Sequence, residues 1–102
     1  AQAVELCSAS QQVAAVGINC SAPEFISPLL EIGRRKTNKP LIVYPNSGEG
    51  YDASHKSWTA RAEREQFPDL AAEWNALGAR AIGGCCRIGP PAIQKLRTLL
   101  LD

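Results

Sequence analysis

Leu41-Ile42-Val43-Tyr44 is a near-continuous apolar run rather than an alternation, the pattern of a short strand covered on both faces. Two runs of the same kind flank it, Val13-Ala14-Ala15-Val16-Gly17-Ile18 upstream and Ala79-Arg80-Ala81-Ile82 downstream. A helical pattern follows each. After the first run Pro23 stands where an opening helical turn tolerates proline, and Phe25, Ile26, Leu29, Leu30 and Ile32 recur at helical spacing. Pro28 makes that helix irregular, and Gly33 with Lys39-Pro40 ends it. A polar loop from Pro45 to about Gln66 follows the second run. The next helix opens near Pro68-Asp69, carries Leu70, Ala71, Trp74 and Leu77 inward and stops at Gly78. Pro90-Pro91 then open a last helix with Ile93, Leu96, Leu99 and Leu100 on one face, while Val4-Glu5-Leu6-Cys7 reads as the end of an earlier one.

The order α-β-α-β-α-β-α predicts an α/β fold with a parallel sheet joined by right-handed crossovers. Three strands do not close a sheet. A parallel barrel takes eight strands and about 250 residues, and an open doubly wound sheet normally has five or six strands. The chain, opening on Ala1-Gln2-Ala3-Val4 and holding no methionine in 102 residues, therefore reads as a piece of something longer. In a closed barrel Val16, Ile18, Ile42 and Ile82 would face layers of side chains from the absent strands.

Composition narrows the function. The chain is 45% hydrophobic and 21% charged, with 11 basic and 10 acidic side chains and a net charge of +1. That balance offers no basic face to phosphate backbones or anionic lipid, so neither nucleic acid nor a membrane is an expected partner. No apolar run approaches the roughly 18 residues of a membrane span, and no charged-then-apolar leader opens the chain. Four cysteines amount to about half the density of a disulfide scaffold, which favours a reducing, cytoplasmic setting.

The chemistry stands where the strands end: Gly17-Ile18-Asn19-Cys20, Tyr44-Pro45-Asn46-Ser47-Gly48-Glu49 and Gly83-Gly84-Cys85-Cys86-Arg87. In parallel α/β folds ligands and catalytic groups collect at the carboxyl ends of strands. Adjacent cysteines on a regular strand would point to opposite faces, but Gly83-Gly84 lets the backbone bend so that both sulfurs turn toward one point. Three thiolates converging there suit zinc with one tetrahedral position open, and zinc keeps an added thiol ionised near neutral pH. Other readings stand beside this one. The three could be free buried thiols, a disulfide between Cys20 and Cys85 or Cys86 or else a redox pair, or a closed zinc site completed by Cys7. His55, the one histidine, lies in a polar loop and reads as solvent-facing, with a ligand or base role as the alternative. Trp58 and Trp74 read as packing anchors, and Gly48-Glu49-Gly50 as a turn carrying one carboxylate.

Taken together, the three strand-end motifs, with Lys39-Pro40 before the second strand and Gly78-Ala79 before the third, resemble the C-terminal third of the homocysteine S-methyltransferases. The resemblance runs from about Val13 to the end of the chain. It is nearest to the cobalamin-independent branch that uses S-methylmethionine or S-adenosylmethionine. It implies strands six to eight of a (β/α)8 barrel, so that residues 1–102 form the C-terminal part of a homocysteine-binding barrel domain. It also implies that Cys20, Cys85 and Cys86 are zinc ligands and that homocysteine sulfur takes the fourth position, with methionine as product. No catalytic residue is expected beyond the zinc site, and substrate contacts would map onto Asn19, Tyr44, Asn46 and Glu49. The first five strands would come from a missing N-terminal barrel portion, or the open sheet would self-associate. A non-catalytic zinc- or thiol-binding module and a thiol redox protein are the competing functions.

Overall fold

The computed structural model describes residues 1–59 and 67–101. Its elements run α1 (Gln2–Ser8), β1 (Val16–Asn19), α2 (Pro23–Lys36), β2 (Leu41–Tyr44), β3 (Gly50–Asp52), β4 (Ser57–Thr59), α3 (Phe67–Ala76), β5 (Ala79–Ile82) and α4 (Pro90–Leu101). β2 is the centre of a parallel three-stranded sheet of order β1-β2-β5. Val16 pairs with Leu41 and Ile18 with Val43 on one side; on the other, Leu41 pairs with Ala79 and Val43 with Ile82. A register shift between Leu41 and Ile42 leaves Arg80 as the extra residue.

The expected first strand begins three residues late. Val16 donates its N–H to the carbonyl of Pro40 (3.0 Å), and proline has no N–H to return. The ladder stops there and leaves Ala14 and Ala15 outside it. The segment before β1 is held instead by the Lys39 ammonium, which donates to the carbonyls of Ser10 and Val13, the latter at 2.6 Å. Lys39 also reaches the Cys7 carbonyl at 3.5 Å. Two further polar contacts fasten α1, Glu5 to Lys36 (3.0 Å) and Ser8 to Thr37 (2.7 Å). α1 buries no residue of its own fully, so these bonds carry much of its docking.

Both-face coverage of the sheet is corrected by the structure. One face is covered: Ile26, Leu30, Leu41, Val43, Ala71, Trp74, Ala79 and Leu96 form the core, with Val16, Ile18 and Ile82 packed against it. Side chains alternate across a strand, so Gly17, Asn19, Tyr44 and Ala81 fall on the opposite face and are exposed, with Ile42 half-buried among them. Of the four residues expected to face missing strands, only Ile42 stands on that open side. α2 and α3 lie together against the covered face, and α4 packs on α3.

Trp74 is fully buried, as expected of an anchor, whereas Trp58 is 39% exposed and is not part of the core. Two amphipathic readings need trimming. α2 buries Ile26, Leu30 and Gly33, but Phe25, Leu29 and Ile32 form a second, exposed stripe. α4 buries Leu96, while Ile93 and Leu99 are exposed. Gly78 closes α3 with φ +109°, where a Cβ would strike the Arg34 guanidinium that donates to the Gly78 carbonyl (3.0 Å).

The polar loop expected from Pro45 to Gln66 holds an antiparallel hairpin, β3 and β4; residues 60–66 lie outside the described residues. Three-residue strands carry too little pattern to stand out, and the turn between them is polar. Asp52 accepts the N–H groups of Ser54 (3.0 Å) and His55 (3.3 Å), which closes it. Among the described residues no helix is long and apolar enough to cross a membrane.

Candidate metal centre

β1 leaves the sheet at Cys20, whose N–H still donates to Tyr44 O (3.0 Å) while its φ of 43° turns the side chain out of the strand direction. β5 ends one residue earlier in the ladder. Gly83 donates to Val43 O (2.8 Å), and Cys85 donates to Pro45 O (2.8 Å) after the bend at Gly84. A Cβ at Gly84 would lie 2.2 Å from the Ile88 side chain, so glycine is required for this close turn. Ile88 in turn donates to Cys85 O (3.1 Å), closing a four-residue turn with Cys86 and Arg87 at its middle.

These bends bring the three sulfurs together. Cys20 Sγ is 3.6 Å from Cys86 Sγ and Cys85 Sγ is 3.9 Å from Cys86 Sγ. All three lie within 4.8 Å of one another, and they are the one such group of potential metal ligands among the described residues. A tetrahedral ion bound by sulfur at about 2.3 Å, the usual distance for zinc, spaces its sulfurs by about 3.8 Å. The donor set and the spacing fit such an ion with one position left over. Cys7, the alternative fourth ligand, is outside the group, and it is exposed on α1 rather than buried.

The thiols are electrostatically unequal. The Cys85 thiol, then the backbone and thiol of Cys86, with Asn46 contributing least, lower Cys20 to about 7 by hydrogen bonding to its thiolate. Cys85, chiefly because it is the donor to Cys20 and secondarily by burial, is pushed up to about 11. One sulfur of the cluster is thus poised as a nucleophile and ligand near neutral pH.

The residues expected to touch substrate have structural partners in this arrangement. Asn46 donates its side-chain amide to Cys20 O (3.1 Å) and lies 3.9 Å from Cys20 Sγ, and its Oδ1 accepts the Gly48 N–H (2.8 Å). Its backbone N–H donates to Ser21 O (3.0 Å), and Ser47 N–H donates to Cys86 O (3.1 Å). Glu49 accepts from Arg87 Nε at 3.0 Å. Asn19 and Tyr44 pair in register at the ends of β1 and β2, exposed on the open face. His55 is solvent-facing at the hairpin tip, where its Nδ1 lies 2.7 Å from Asp52 Oδ2. The Ser54 hydroxyl first, then His55, holds the Asp52 carboxyl below the usual carboxylate range.

Arg87 had no role assigned from the sequence. Its guanidinium lies 5.6 Å from the centre of the Trp58 ring, which meets Tyr51 edge-on at 5.1 Å. Residues this far apart in the chain carry no spacing signal that could have paired them.

The family profile described as homocysteine S-methyltransferase matches residues 1–100. Homocysteine S-methyltransferase YbgG of Bacillus subtilis is 48% identical over 86 residues, covering 84% of this chain and 27% of that protein. The selenocysteine methyltransferase of Astragalus bisulcatus is 42% identical over 91 residues, covering 87% of this chain and 27% of its own length. Among solved structures, the metallated form of the homocysteine methyltransferase MmuM from Escherichia coli superposes with a TM-score of 0.75 at 37% identity, over 96% of this chain and 28% of that one. The chain spans less than a third of the length of each of these relatives.

Proposed function

From a chain that belongs to the homocysteine S-methyltransferase family, we propose the C-terminal, metal-holding part of an enzyme that methylates homocysteine to methionine. The observation that carries this reading is the convergence of Cys20, Cys85 and Cys86 within 4.8 Å at the exits of neighbouring parallel strands. The metal in this reading is zinc, and Cys20, Cys85 and Cys86 hold it. Zinc, when bound, supplies a Lewis acid that keeps a thiol ionised near neutral pH.

The chain's own residues build the seat. β2 fixes the two cysteine-bearing turns through the carbonyls of Tyr44 and Pro45, and Asn46 ties the Cys20 turn to the loop beyond β2. The open corner beside the sulfurs is where homocysteine enters. In the transfer its sulfur forms a bond to the methyl carbon of a sulfonium donor. The donor's own S–CH3 bond breaks, and that electron pair stays on the donor sulfur, which leaves as a neutral thioether. S-methylmethionine and S-adenosylmethionine both meet this requirement. Asn19 and Tyr44, exposed at the same strand ends, are the groups of this chain free to meet the amino-acid portion.

The reading includes the larger frame: β1, β2 and β5 as strands six to eight of a (β/α)8 barrel. Three features support it. β1 and β5 each have one unpaired edge among the described residues. The face bearing Gly17, Ile42 and Ala81 is uncovered, and the Phe25–Leu29–Ile32 stripe of α2 has the spacing of a seam for a neighbouring helix. A reducing, cytoplasmic setting suits four free cysteines.

The test uses the full-length protein containing this chain. Methionine should form from homocysteine with one of the two sulfonium donors, stop on chelation, and return with zinc alone. Full turnover in zinc-free protein would overturn the reading.

A further inference from the structure

Arg87 occupies a position that its backbone does not favour. It is the third residue of the Cys85–Ile88 turn and has φ +64°, a conformation that glycine adopts without strain and that a long side chain does not. Strained backbone of this kind points to a use for the side chain that is held there. Among the described residues the Arg87 side chain makes two polar or aromatic contacts, both to the hairpin and the residue that leads into it: Nε with Glu49 Oε2 at 3.0 Å, and the guanidinium with the Trp58 ring at 5.6 Å. The hairpin needs such a hold. Among the described elements, β3 and β4 pack extensively only on each other. The segment leading into β3 is also tied by its backbone to the cysteine turn, through Ser47 N–H on Cys86 O.

We propose that Arg87 is a positioning residue that latches the β3–β4 hairpin along the cysteine cluster, with the Glu49 carboxylate and the Trp58 ring as the two halves of the catch. In this arrangement Glu49 serves Arg87 rather than substrate, and the aromatic pair Tyr51–Trp58 becomes one wall beside the open corner of the metal centre. Arginine suits the task because its planar guanidinium can pair with a carboxylate and lie on an indole at once, which a lysine ammonium cannot do with the same geometry. The effect on homocysteine rests on the methyltransferase reading; the latch itself does not.

Two measurements on the full-length protein separate these. The first follows the 5-fluorotryptophan resonance of Trp58, assigned by Trp58→Phe. Arg87→Gly relieves the backbone strain, so the protein should fold at least as well, yet the Trp58 resonance should shift and sharpen; Glu49→Gln should move it the same way. An unmoved resonance in both variants overturns the latch, whatever the reaction is. The second measures homocysteine. Arg87→Gly and Arg87→Lys should each raise its Kd and KM by about five- to tenfold, with kcat within about twofold. Zinc content should be unchanged. Adding Glu49→Gln to Arg87→Gly should cost nothing more, as for two members of one unit. Wild-type Kd and KM in zinc-replete Arg87→Gly would show that the hairpin's position does not matter to the site. A wild-type protein that transfers no methyl group, but whose Trp58 signal responds to Arg87→Gly, would defeat the functional reading and leave the latch standing.

Discussion

Cys86 lies 3.6 and 3.9 Å from the other two sulfurs, so its loss takes two contacts from the cluster at once. Cys86→Ala should abolish zinc retention after gel filtration, whereas Cys7→Ala, outside the cluster, should leave metal content unchanged. One zinc per chain in the Cys86 variant would refute the ligand assignment. In metal-free protein the thiols should also react in order. Alkylation of Cys20 should rise through a midpoint near 7, where its thiolate forms, while Cys85 should stay slow until the pH approaches 11. Mass mapping of the alkylated sites checks it, and equal labelling of both cysteines at pH 8 would contradict the assigned hydrogen bonding. At this scale the sequence was informative wherever chemistry and strand position coincided. Cys20, Cys85 and Cys86 could be singled out because apolar runs stop beside them and Gly83-Gly84 permits the bend. The Glu49–Arg87–Trp58 contact was not legible, because nothing in a linear spacing says that a hairpin will fold back onto a turn formed 38 residues later.

Among the elements, the parallel strands and their crossover helices follow from pattern, since each apolar run is followed by residues at helical spacing. Two things were not visible. β1 begins at Val16 rather than Val13 because its neighbour in the ladder is Pro40, a pairing that only the register reveals. α1 buries no residue fully, and the Lys39, Lys36 and Thr37 contacts that fasten it are polar. Lys39→Met should therefore release α1 and the segment up to Val13 while leaving the sheet formed. The expected loss is about 1.5–3 kcal/mol, the range for hydrogen bonds that involve a charged partner. Hydrogen exchange would read it as lost protection confined to residues 2–13; equal loss across β2 would mean that Lys39 supports the whole sheet instead.

For the molecule as a whole, what was legible was an open parallel sheet: three parallel strands cannot close. Less legible was which faces remain open, because short apolar runs look alike whether one face or both are covered. The 102 residues expressed alone should self-associate, since β1 and β5 each offer an edge unpaired among the described residues and α2 and α4 expose Phe25, Leu29, Ile93 and Leu99. Sedimentation should show oligomers, and a methionine-formation assay should show no turnover; a stable monomer with enzymic turnover would contradict the barrel reading. The placement of the sulfurs also has a consequence in time. Cys20 and Cys86 are 66 residues apart and meet only across β2, which itself carries no ligand. Two helical crossovers must close before the ion has anywhere to settle. A metal held there, zinc in the proposed reading, would then arrive late and could not seed this fold, and an interaction made after the folding barrier slows escape from the native state more than it speeds entry. Such a metal would act as a bolt shot after the door has closed.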